Sequence, residues 1–424
     1  MSLTSSVLVW LAWIAATALF CRIVFWPRPI RSGWLGVLGR AGYQLTVVVT
    51  VLLAVGLMLN DQYGWYANWG DLGSVFAADA RGDVVAAGAA ASLAAGDAAG
   101  SNQTTGTAHQ AVPLSTVSDL TALGLSARVG PAAGQVRSYP IPGTVSGVTS
   151  TVSVWFPPQY TDPAFAAHRF PVLEAFHGVP GSPRQLFDNM SLGKDVAQQT
   201  AAGNLAPSVI VMPSYAPHQL DTECVDGGAG HLQMEQWITA DVTAWVERHL
   251  RVANDRTSWA TFGLSAGAWC ASMLAMLHPD IYSAAISLGG YYQPTFEAPY
   301  IPFTPNSTQW QRYDLLKLAR TEPPRMALWV QTSKADAISY GTARQLLATA
   351  KPPLSVTADV LPNAGHRLSV WIHLIPETLR WLGATAPGFR PTQAIHLPSG
   401  AAPQHFLALP HVGLLPTKVS TPGP

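Results

Sequence analysis

The chain has 424 residues, enough for one large catalytic domain and additional segments. Its formal net charge is zero and it has no long basic run, which argues against a nucleic-acid partner because phosphate neutralisation needs clustered lysine and arginine. Charged residues make up only 11%, against about 25% in typical soluble domains, and this deficit is typical of a membrane-attached protein.

Two apolar runs near the amino terminus predict a membrane anchor. Residues 6–26 and 36–59 are each about long enough to cross a bilayer as a helix, which takes ~20 residues. The short stretch between them contains Arg28 and Arg31 and is flanked by Arg22 and Arg40. It has no acidic residue. By the positive-inside rule this stretch is cytoplasmic, so the amino terminus and everything after the second run lie outside.

Two other interpretations of these runs stay open. Run 6–26 resembles a cleaved signal peptide, although it lacks a basic amino-terminal region and a clear small-residue cleavage site. Alternatively, both runs form a buried hairpin of core helices.

An aromatic cluster after the second run fits the interfacial belt of a membrane protein: Trp65, Tyr66 and Trp69.

The composition predicts a flexible tether after the anchor. Residues 77–107 are mostly Ala, Gly, Ser and Thr and cannot bury enough apolar surface to offset the entropy of ordering. An Ala-rich helix is the alternative, but the glycines count against it.

The predicted organisation is a membrane anchor over 1–60, an extracytoplasmic linker over 61–133 with a short helix near 115–125, a catalytic domain over 134–385 and a proline-rich tail over 386–424.

Strands alternate with helices through the predicted catalytic domain. The first two strands alternate apolar and polar residues and predict an antiparallel pair, and the later ones are more continuously apolar. The predicted strands are 136–141, 149–156, 170–176, 208–212, 256–262, 284–288, 327–331 and 355–361, and the predicted helices are 236–250, 266–278 and 368–382. This pattern predicts an α/β fold with a mostly parallel central sheet covered on both faces.

One pentapeptide in this pattern suggests catalysis. Gly263-Leu264-Ser265-Ala266-Gly267 is the only Gly-x-Ser-x-Gly of the chain, and it joins a predicted strand to a predicted helix. Strand, sharp turn and helix are the context of a nucleophile elbow, in which the serine stands above the carboxyl end of a sheet. The alternative is a Gly/Ser turn between a core strand and a core helix.

A serine nucleophile needs a base and an acid, which follow in the order Ser, acid, His in α/β-hydrolases. His366 lies in the loop after the last predicted strand and is the predicted base, whereas His373 falls on the following helix. Asp336 is the only carboxylate in the loop after the preceding strand and is the predicted acid. Asp336 is equally typical of a helix N-cap before residues 337–348.

An oxyanion hole needs two backbone N–H donors. The residue after the nucleophile, Ala266, is the first predicted donor. The loop His177-Gly178-Val179-Pro180-Gly181 follows an early strand, and within it we predict the second donor at Val179, with Gly178 as its neighbour. Pro180 has no N–H. His177 has the alternative interpretation of a second base, but its place before the glycine favours a role in loop shape.

The three cysteines suggest a disulfide rather than a metal site. Cys224 and Cys270 both lie on the outer face in the predicted topology, where disulfides persist, and we expect them to be joined. Two free buried thiols are the alternative, and Cys21 lies in a predicted span. No Cys-x-x-Cys or Cys/His cluster suggests zinc. The acids Asp221, Glu223 and Asp226 match no EF-hand spacing.

Residues 134–382 resemble the esterase D-type "putative esterase" family of α/β-hydrolases, which includes the secreted actinobacterial mycolyltransferases. The resemblance rests on His177-Gly178-Val179-Pro180-Gly181, Asp221-Thr222-Glu223-Cys224, residues 237–245, the Gly-Leu-Ser-Ala-Gly elbow, and Gly365-His366 followed by Trp371. It implies acyl-ester hydrolysis or acyl transfer with Ser265, Asp336 and His366 as the triad. The mycolyltransferases use a glutamate as the acid and are released, whereas this chain offers Asp336 and an anchor. The first difference favours plain esterase activity.

The expected function is therefore that of a membrane-anchored, extracytoplasmic serine esterase that hydrolyses or transfers acyl groups through an acyl-enzyme. It needs no cofactor or metal and acts on an acyl-ester or lipid substrate, and the sequence predicts no particular oligomeric state. Alternatives are mycolyltransferase-like acyl transfer in the cell envelope and an inactive hydrolase fold used as a binding module. A third is a membrane subunit whose spans carry the function, although two spans without internal acids give this little support.

Overall fold

A single sheet organises the part of the chain that the computed structural model describes, namely residues 5–25, 33–66, 68–73, 83–87, 120, 122–125 and 134–391. Within these residues nine strands pair in the order β1-β9-β8-β7-β6-β4-β5-β3-β2. Their bounds are β1 Asp83–Ala87, β2 Gln135–Pro142, β3 Thr149–Phe156, β4 Val172–Phe176, β5 Val209–Pro213, β6 Trp259–Leu264, β7 Ala284–Leu288, β8 Ala327–Ser333 and β9 Ser355–Leu361.

The sheet is mostly parallel, as the sequence predicted. Strands β4 to β9 run parallel to one another. The antiparallel strands lie at the two edges, β2 and β3 at one and β1 at the other. All six parallel strands therefore end at the same edge of the sheet, where the loops after β4, β6, β8 and β9 meet.

Helices cover both faces of the sheet. The α-helices of five or more residues in the described part of the chain are α1 Ser6–Phe25, α2 Trp34–Tyr63, α3 Trp69–Gly73, α4 Leu192–Ala201, α5 Thr243–His249, α6 Ala266–Leu277, α7 Thr308–Arg312, α8 Leu315–Thr321, α9 Tyr340–Thr349, α10 Leu368–Ile372 and α11 Ile375–Thr385. The side chains of β4 alternate between two cores, with Val172 and Phe176 on one face and Leu173 and Ala175 on the other. Because both faces are buried, the parallel strands are nearly continuously apolar in sequence.

Each face has its own set of helices. Helices α5, α6, α8 and α9 contribute to the core that contains Val172. Helices α4, α10 and α11 contribute to the core that contains Leu173. The structure is thus a three-layer sandwich with the sheet in the middle, and it presents one rim of loops at the carboxyl ends of the parallel strands.

Strand β1 differs from the sequence prediction. Residues 83–87 fall inside the predicted flexible tether, yet they pair antiparallel with β9 from Asp83 opposite Val360 to Ala87 opposite Val356. Strand β9 would otherwise present an unpaired backbone edge, and pairing satisfies its N–H and C=O groups. The sheet therefore includes a strand that precedes the predicted start of the catalytic domain. The other residues of the tether, most of the predicted helix near 115–125 and the tail after 391 lie outside the described residues.

Several element boundaries also differ from the prediction; for example, β4 begins at Val172 and β8 ends at Ser333. Strand β6 begins at Trp259 because Arg256–Ser258 form a 3₁₀ turn. The predicted helix 236–250 contains a π-helical section, Trp237–Val242, before α5. The predicted final helix is two helices, α10 and α11, and Pro376 at the start of α11 cannot donate the hydrogen bond that a continuous helix requires.

Of the two predicted membrane spans, one is a candidate by length and composition. Within α2, Val37–Gln62 is the only described stretch long and apolar enough to cross a membrane. In α1, Ser6–Arg22 is a shorter apolar segment. The two helices are connected by a hydrogen bond from the Tyr43 hydroxyl to the Leu19 carbonyl (3.4 Å). Two spans are therefore not confirmed, and one weak candidate remains.

A buried carboxyl group in β4 predicts a pH dependence of stability. Glu174 is completely buried and accepts a hydrogen bond from the Tyr282 hydroxyl (2.6 Å). Burial raises its pKa from 4.5 to about 8, with the Tyr282 hydrogen bond acting in the opposite direction. Between these two pH values the folded protein retains a proton that the unfolded chain releases. Stability from this group is therefore present below pH 4.5 and is lost as the pH rises towards 8.

We expect Glu174→Gln to flatten the pH dependence of the free energy of unfolding between pH 5 and 7.5. One retained proton corresponds to a slope of about 1.4 kcal/mol per pH unit, and glutamine does not titrate. Denaturant unfolding at pH 5, 6 and 7.5 measures the slope. Asp255→Asn, at an exposed turn, serves as the control. Equal slopes for the wild type and the Glu174 variant would contradict the assignment.

Candidate active site

The serine of the pentapeptide lies in a strained turn between β6 and α6. Ser265 has φ 54° and ψ −125°, a conformation that residues with a Cβ atom rarely adopt. The two flanking glycines allow it. A Cβ on Gly263 would overlap the Gly267 carbonyl, and a Cβ on Gly267 would overlap the carbonyl groups of Phe176 and His177. The side chain of Ser265 therefore stands on a sharp turn at the carboxyl edge of the sheet, half-buried.

The three residues predicted as a triad are joined by hydrogen bonds. His366 Nε2 lies 2.8 Å from Ser265 Oγ, and His366 Nδ1 lies 2.9 Å from Asp336 Oδ2. The residues come from loops after three different parallel strands, β6, β8 and β9, which end at the same edge of the sheet. With Nδ1 donating to the carboxylate, Nε2 is the nitrogen that can accept the serine proton.

The Asp336 carboxylate is almost completely buried and fully engaged. Besides His366, it accepts hydrogen bonds from the backbone N–H groups of Ile338 (2.9 Å) and Ser339 (3.2 Å) and from the Ser339 hydroxyl (2.7 Å). Burial alone would raise its pKa, but the hydrogen bonds from His366 and Ser339 outweigh burial, and the pKa is lowered. Asp336 therefore caps the turn that leads into α9 and contacts the imidazole at the same time.

The imidazole of His366 is held on several sides. Its ring packs edge-on against Trp371, with the ring centroids 4.8 Å apart. In the same loop, the Ala364 N–H donates to the Ser333 hydroxyl (2.8 Å). The His366 backbone N–H donates to the Gly64 carbonyl (2.8 Å), which lies just after α2. His366 is only 7% exposed, so its orientation is set by packing rather than by solvent.

The loop after β4 lies beside the serine. A Cβ on Gly178 would lie 3.5 Å from Ser265 Cβ. The Gly178 N–H is directed towards Gln185 Oε1 (3.3 Å), so Gly178 has a protein acceptor in reach. Val179 is the next residue on this loop. Ala266 is the first residue of α6, where backbone N–H groups have no acceptor inside the helix.

His177 supports this loop from within the protein. Its ring is buried and stacks on Tyr215, with centroids 4.6 Å apart, and its Nδ1 lies 2.8 Å from the Gly178 carbonyl. Burial lowers the pKa of His177 to about 4, so it is neutral near pH 7. The Tyr215 hydroxyl donates to the His177 carbonyl (2.5 Å). These contacts agree with a role in loop shape.

A disulfide joins Cys224 and Cys270 and connects a second loop to α6. Trp269 Nε1 donates to the Glu223 carbonyl (2.9 Å) beside the disulfide. Burial raises the pKa of Glu223 well above its usual value. From the same loop, Gln219 exchanges two hydrogen bonds with the backbone of Gly181, 3.0 Å and 3.1 Å long. The disulfide-bonded loop therefore holds the end of the loop that contains Val179.

Sequence patterns did not identify several of these supporting residues. Tyr215, Gln185 and Gln219 lie in no recognisable motif, and their roles depend on contacts between loops that are distant in sequence. The Gly64 carbonyl could not be identified from the sequence either, because every residue has a backbone carbonyl group. Among the described residues, no group of three or more His, Cys, Asp or Glu side chains is arranged to bind a metal ion.

The sheet order, the nucleophile-type elbow and the loops at one edge define an esterase fold of the α/β-hydrolase kind. Residues 145–378 match the family model described as "Putative esterase". This match covers more than half of the 424 residues, and the chain belongs to that esterase family.

Comparison with one solved structure agrees with this fold, and two further proteins are similar over part of the chain. An S-formylglutathione hydrolase from Agrobacterium tumefaciens superimposes with a TM-score of 0.50 at 17% identity, over 61% of this chain and 98% of that one. A ferulic acid esterase gives a TM-score of 0.49 at 16% identity, over 59% of this chain and 97% of that one. An uncharacterised protein of Corynebacterium glutamicum is 29% identical over 170 residues, and the match covers 38% of either chain. The match therefore spans less than half the length of that curated relative.

We expect replacement of both Cys224 and Cys270 by alanine to lower the free energy of unfolding by about 2 to 5 kcal/mol, because the disulfide restricts the unfolded chain. Denaturant unfolding of both proteins measures the difference. Cys21→Ser, at a cysteine of α1 that is free, is the matched control and is expected to leave it unchanged. A double variant as stable as the wild type would contradict a stabilising disulfide.

Proposed function

We propose that this protein is a serine esterase in which Ser265, His366 and Asp336 form the catalytic triad and Val179 and Ala266 donate to the oxyanion. Membership of the esterase family supports the reaction class. The observation that supports the residue assignment most strongly is the hydrogen-bonded chain from Ser265 Oγ through both ring nitrogens of His366 to Asp336.

Acylation begins with attack of Ser265 Oγ on the ester carbonyl carbon. His366 Nε2 takes the serine proton as the C–O bond forms, and Asp336 stabilises the imidazolium through Nδ1–H. The carbonyl oxygen becomes an oxyanion and accepts hydrogen bonds from the backbone N–H groups of Val179 and Ala266. The tetrahedral intermediate then breaks its bond to the alcohol oxygen, His366 returns the proton to that oxygen, and the alcohol leaves.

Deacylation repeats the sequence with a second nucleophile. Water, or an acceptor alcohol, gives its proton to His366 and attacks the acyl carbon. When the intermediate collapses, the bond to Ser265 Oγ breaks and the serine regains the proton. Water yields a carboxylic acid and an alcohol yields a new ester, so hydrolysis and acyl transfer share every protein group. The lowered pKa of Asp336 keeps this carboxylate ionised near neutral pH.

We also propose that the protein is anchored in a membrane with its catalytic domain on the outer side. Helix α2 has large apolar side chains exposed along its length, including Leu45 (63%) and Leu52 (65%), which would face lipid. Trp65 and Trp69 follow it and are 40% and 59% exposed, as interfacial side chains are. The Cys224–Cys270 disulfide is an independent argument, because disulfides persist in oxidising compartments outside the cytoplasm.

Replacement of Ser265 by alanine is expected to lower kcat for short p-nitrophenyl esters by at least about 10⁴-fold, because it removes the nucleophile. Asp336→Asn is expected to cost about 10³- to 10⁴-fold. Asparagine still accepts from backbone N–H groups, so this variant retains the cap and removes only the charge that the imidazole faces.

The control is Ser258→Ala, the same substitution in the 3₁₀ turn that precedes β6, which is expected to retain activity. Circular dichroism checks that each variant is folded. Full turnover by Ser265→Ala would refute the mechanism. Failure of a fluorophosphonate probe to label wild-type Ser265 would favour an inactive binding module instead.

The proposed topology predicts that protease added to intact cells digests the catalytic domain. A peptide tag placed at the amino terminus is expected to be digested too, because two spans put both ends outside. A tag inserted within residues 27–32 serves as the matched control and should be cut only after permeabilisation. An amino-terminal tag protected in intact cells, with the catalytic domain digested, would replace two spans by one.

A further inference from the structure

A short segment after the membrane helix candidate contacts the loop of the proposed catalytic base. We call residues 64–66 and 68–73 the juxtamembrane segment. It begins at Gly64, which ends α2 in a left-handed conformation with φ 62°. Asn60 in the last turn of α2 accepts from the Tyr66 N–H (2.7 Å) and donates to the Tyr66 carbonyl (2.9 Å). The segment is therefore attached firmly to the end of the helix.

The juxtamembrane segment contacts the histidine loop through its backbone. The His366 N–H donates to the Gly64 carbonyl (2.8 Å), so the residue with the proposed catalytic ring is tied directly to the end of α2. The neighbouring Gly365 packs so closely on Trp65 that a Cβ there would overlap the Trp65 carbonyl. Asn68 and Asn363 add a side-chain hydrogen bond of 2.5 Å.

A buried ion pair completes the contact. Arg367 Nη1 lies 2.7 Å from the carboxylate of Asp71 in α3, and it also donates to the Trp65 carbonyl (3.1 Å). The guanidinium lies over the Tyr66 ring, 4.8 Å from its centroid. The Arg367 side chain is 11% exposed and that of Asp71 is completely buried, so solvent screens the pair weakly. Arg367 is bonded in sequence to His366, so its position constrains the backbone that carries the imidazole.

Groups at the end of β8 and in the loop after it hold the opposite side of the histidine loop. These are the Ser333 hydroxyl, which accepts from the Ala364 N–H, and the Asp336 carboxylate, which contacts the ring. The juxtamembrane segment supplies the support on the other side. A shift of about 1 Å in a catalytic group is enough to cost about 10²-fold in rate, so support of this kind affects turnover.

We infer that the juxtamembrane segment is a positioning part of the active site, in which Asp71, acting through Arg367, holds His366 in line with Ser265. This inference rests on the proposed function, because orientation of the ring matters for turnover only if His366 is the base. The anchor then supports the active site in addition to attaching the domain, because the last turn of α2 and the imidazole belong to one hydrogen-bonded assembly. Asp71 itself touches no reacting atom and is a positioning residue.

The test uses the full chain in membranes or detergent and compares Asp71→Asn with the wild type. Turnover of a short p-nitrophenyl ester is measured as kcat and KM, with active sites counted by fluorophosphonate labelling carried to completion. We expect kcat per labelled site to fall by about 10- to 100-fold, with KM within about 3-fold, because the substrate contacts are unchanged. Asp71→Glu, which retains the charge, is expected to recover most of kcat.

Asp162→Asn is the matched control. It makes the same chemical change at an exposed residue whose carboxylate accepts a hydrogen bond from the Ala164 N–H (2.9 Å). Asp162 follows β3, whose end pairs with the start of β5, so it lies at the edge of the sheet opposite Ser265. We expect its kcat and KM to equal those of the wild type.

A purely structural role would lower the number of labelled sites and leave kcat per site unchanged. Asp71→Asn with kcat per site within 2-fold of the wild type would therefore overturn the inference and leave the proposed function intact. An inactive wild type, or an active Ser265→Ala, would instead contradict the proposed function. If Asp71→Asn does not fold, Arg367→Lys takes its place with the same criteria, because lysine retains the charge and loses the planar contact with Tyr66.

Discussion

Ser265 can stand at the carboxyl edge of the sheet only because no side chain occupies the two glycine positions beside it. Its φ of 54° is a conformation that costs about 1–3 kcal/mol for a residue with a Cβ atom. Close approach of Gly263 to Gly267, and of Gly267 to the end of β4, allows the surrounding elements to impose it. The same approach brings the loop after β4 next to the serine, so the strained turn and the neighbouring loop are consequences of one packing constraint.

The parallel sheet explains why distant residues meet at this turn. Ser265, Asp336 and His366 follow β6, β8 and β9, and parallel strands bring their carboxyl ends to one edge. Each loop is then held by contacts that are not part of the chemistry. Ser339 binds the Asp336 carboxylate, and Trp371 packs against the imidazole. The Asp336 carboxylate and the Ser265 hydroxyl are thereby kept within hydrogen-bond distance of the same ring.

The site is also supported from two sides by segments that appear separate in the sequence. A disulfide-bonded loop holds Gly181 through Gln219, and the residues after α2 hold the loop of His366. The chain thus connects a membrane helix candidate, a strained turn and a covalent cross-link within one region. In this arrangement the residues after α2 and the esterase domain share hydrogen bonds and an ion pair.

Local pattern was sufficient where a residue's role follows from its neighbours in the chain. The elbow is recognisable because glycine, serine and glycine occur at fixed spacing between an apolar strand and an Ala-rich helix. The positions of Asp336 and His366 follow from strand order, since loops after successive parallel strands share an edge. Strand β1 was missed because its residues have a tether-like composition, and only the unpaired edge of β9 gives them a partner. The break between α10 and α11 depends on Pro376, whose effect was overlooked within an otherwise helical pattern.

The fold class, the elbow and the order of the polar residues after the strands could be predicted from the sequence, because periodicity and turn chemistry are local properties. The contacts of Gly64, Asp71 and Tyr215 with the site are visible only in the folded chain. These residues make their contacts through a carbonyl oxygen, a buried carboxylate and a hydroxyl. Each of these groups could have bonded to many different partners. Which partner each one meets depends on how the loops fold over the sheet, and no spacing along the chain specifies that.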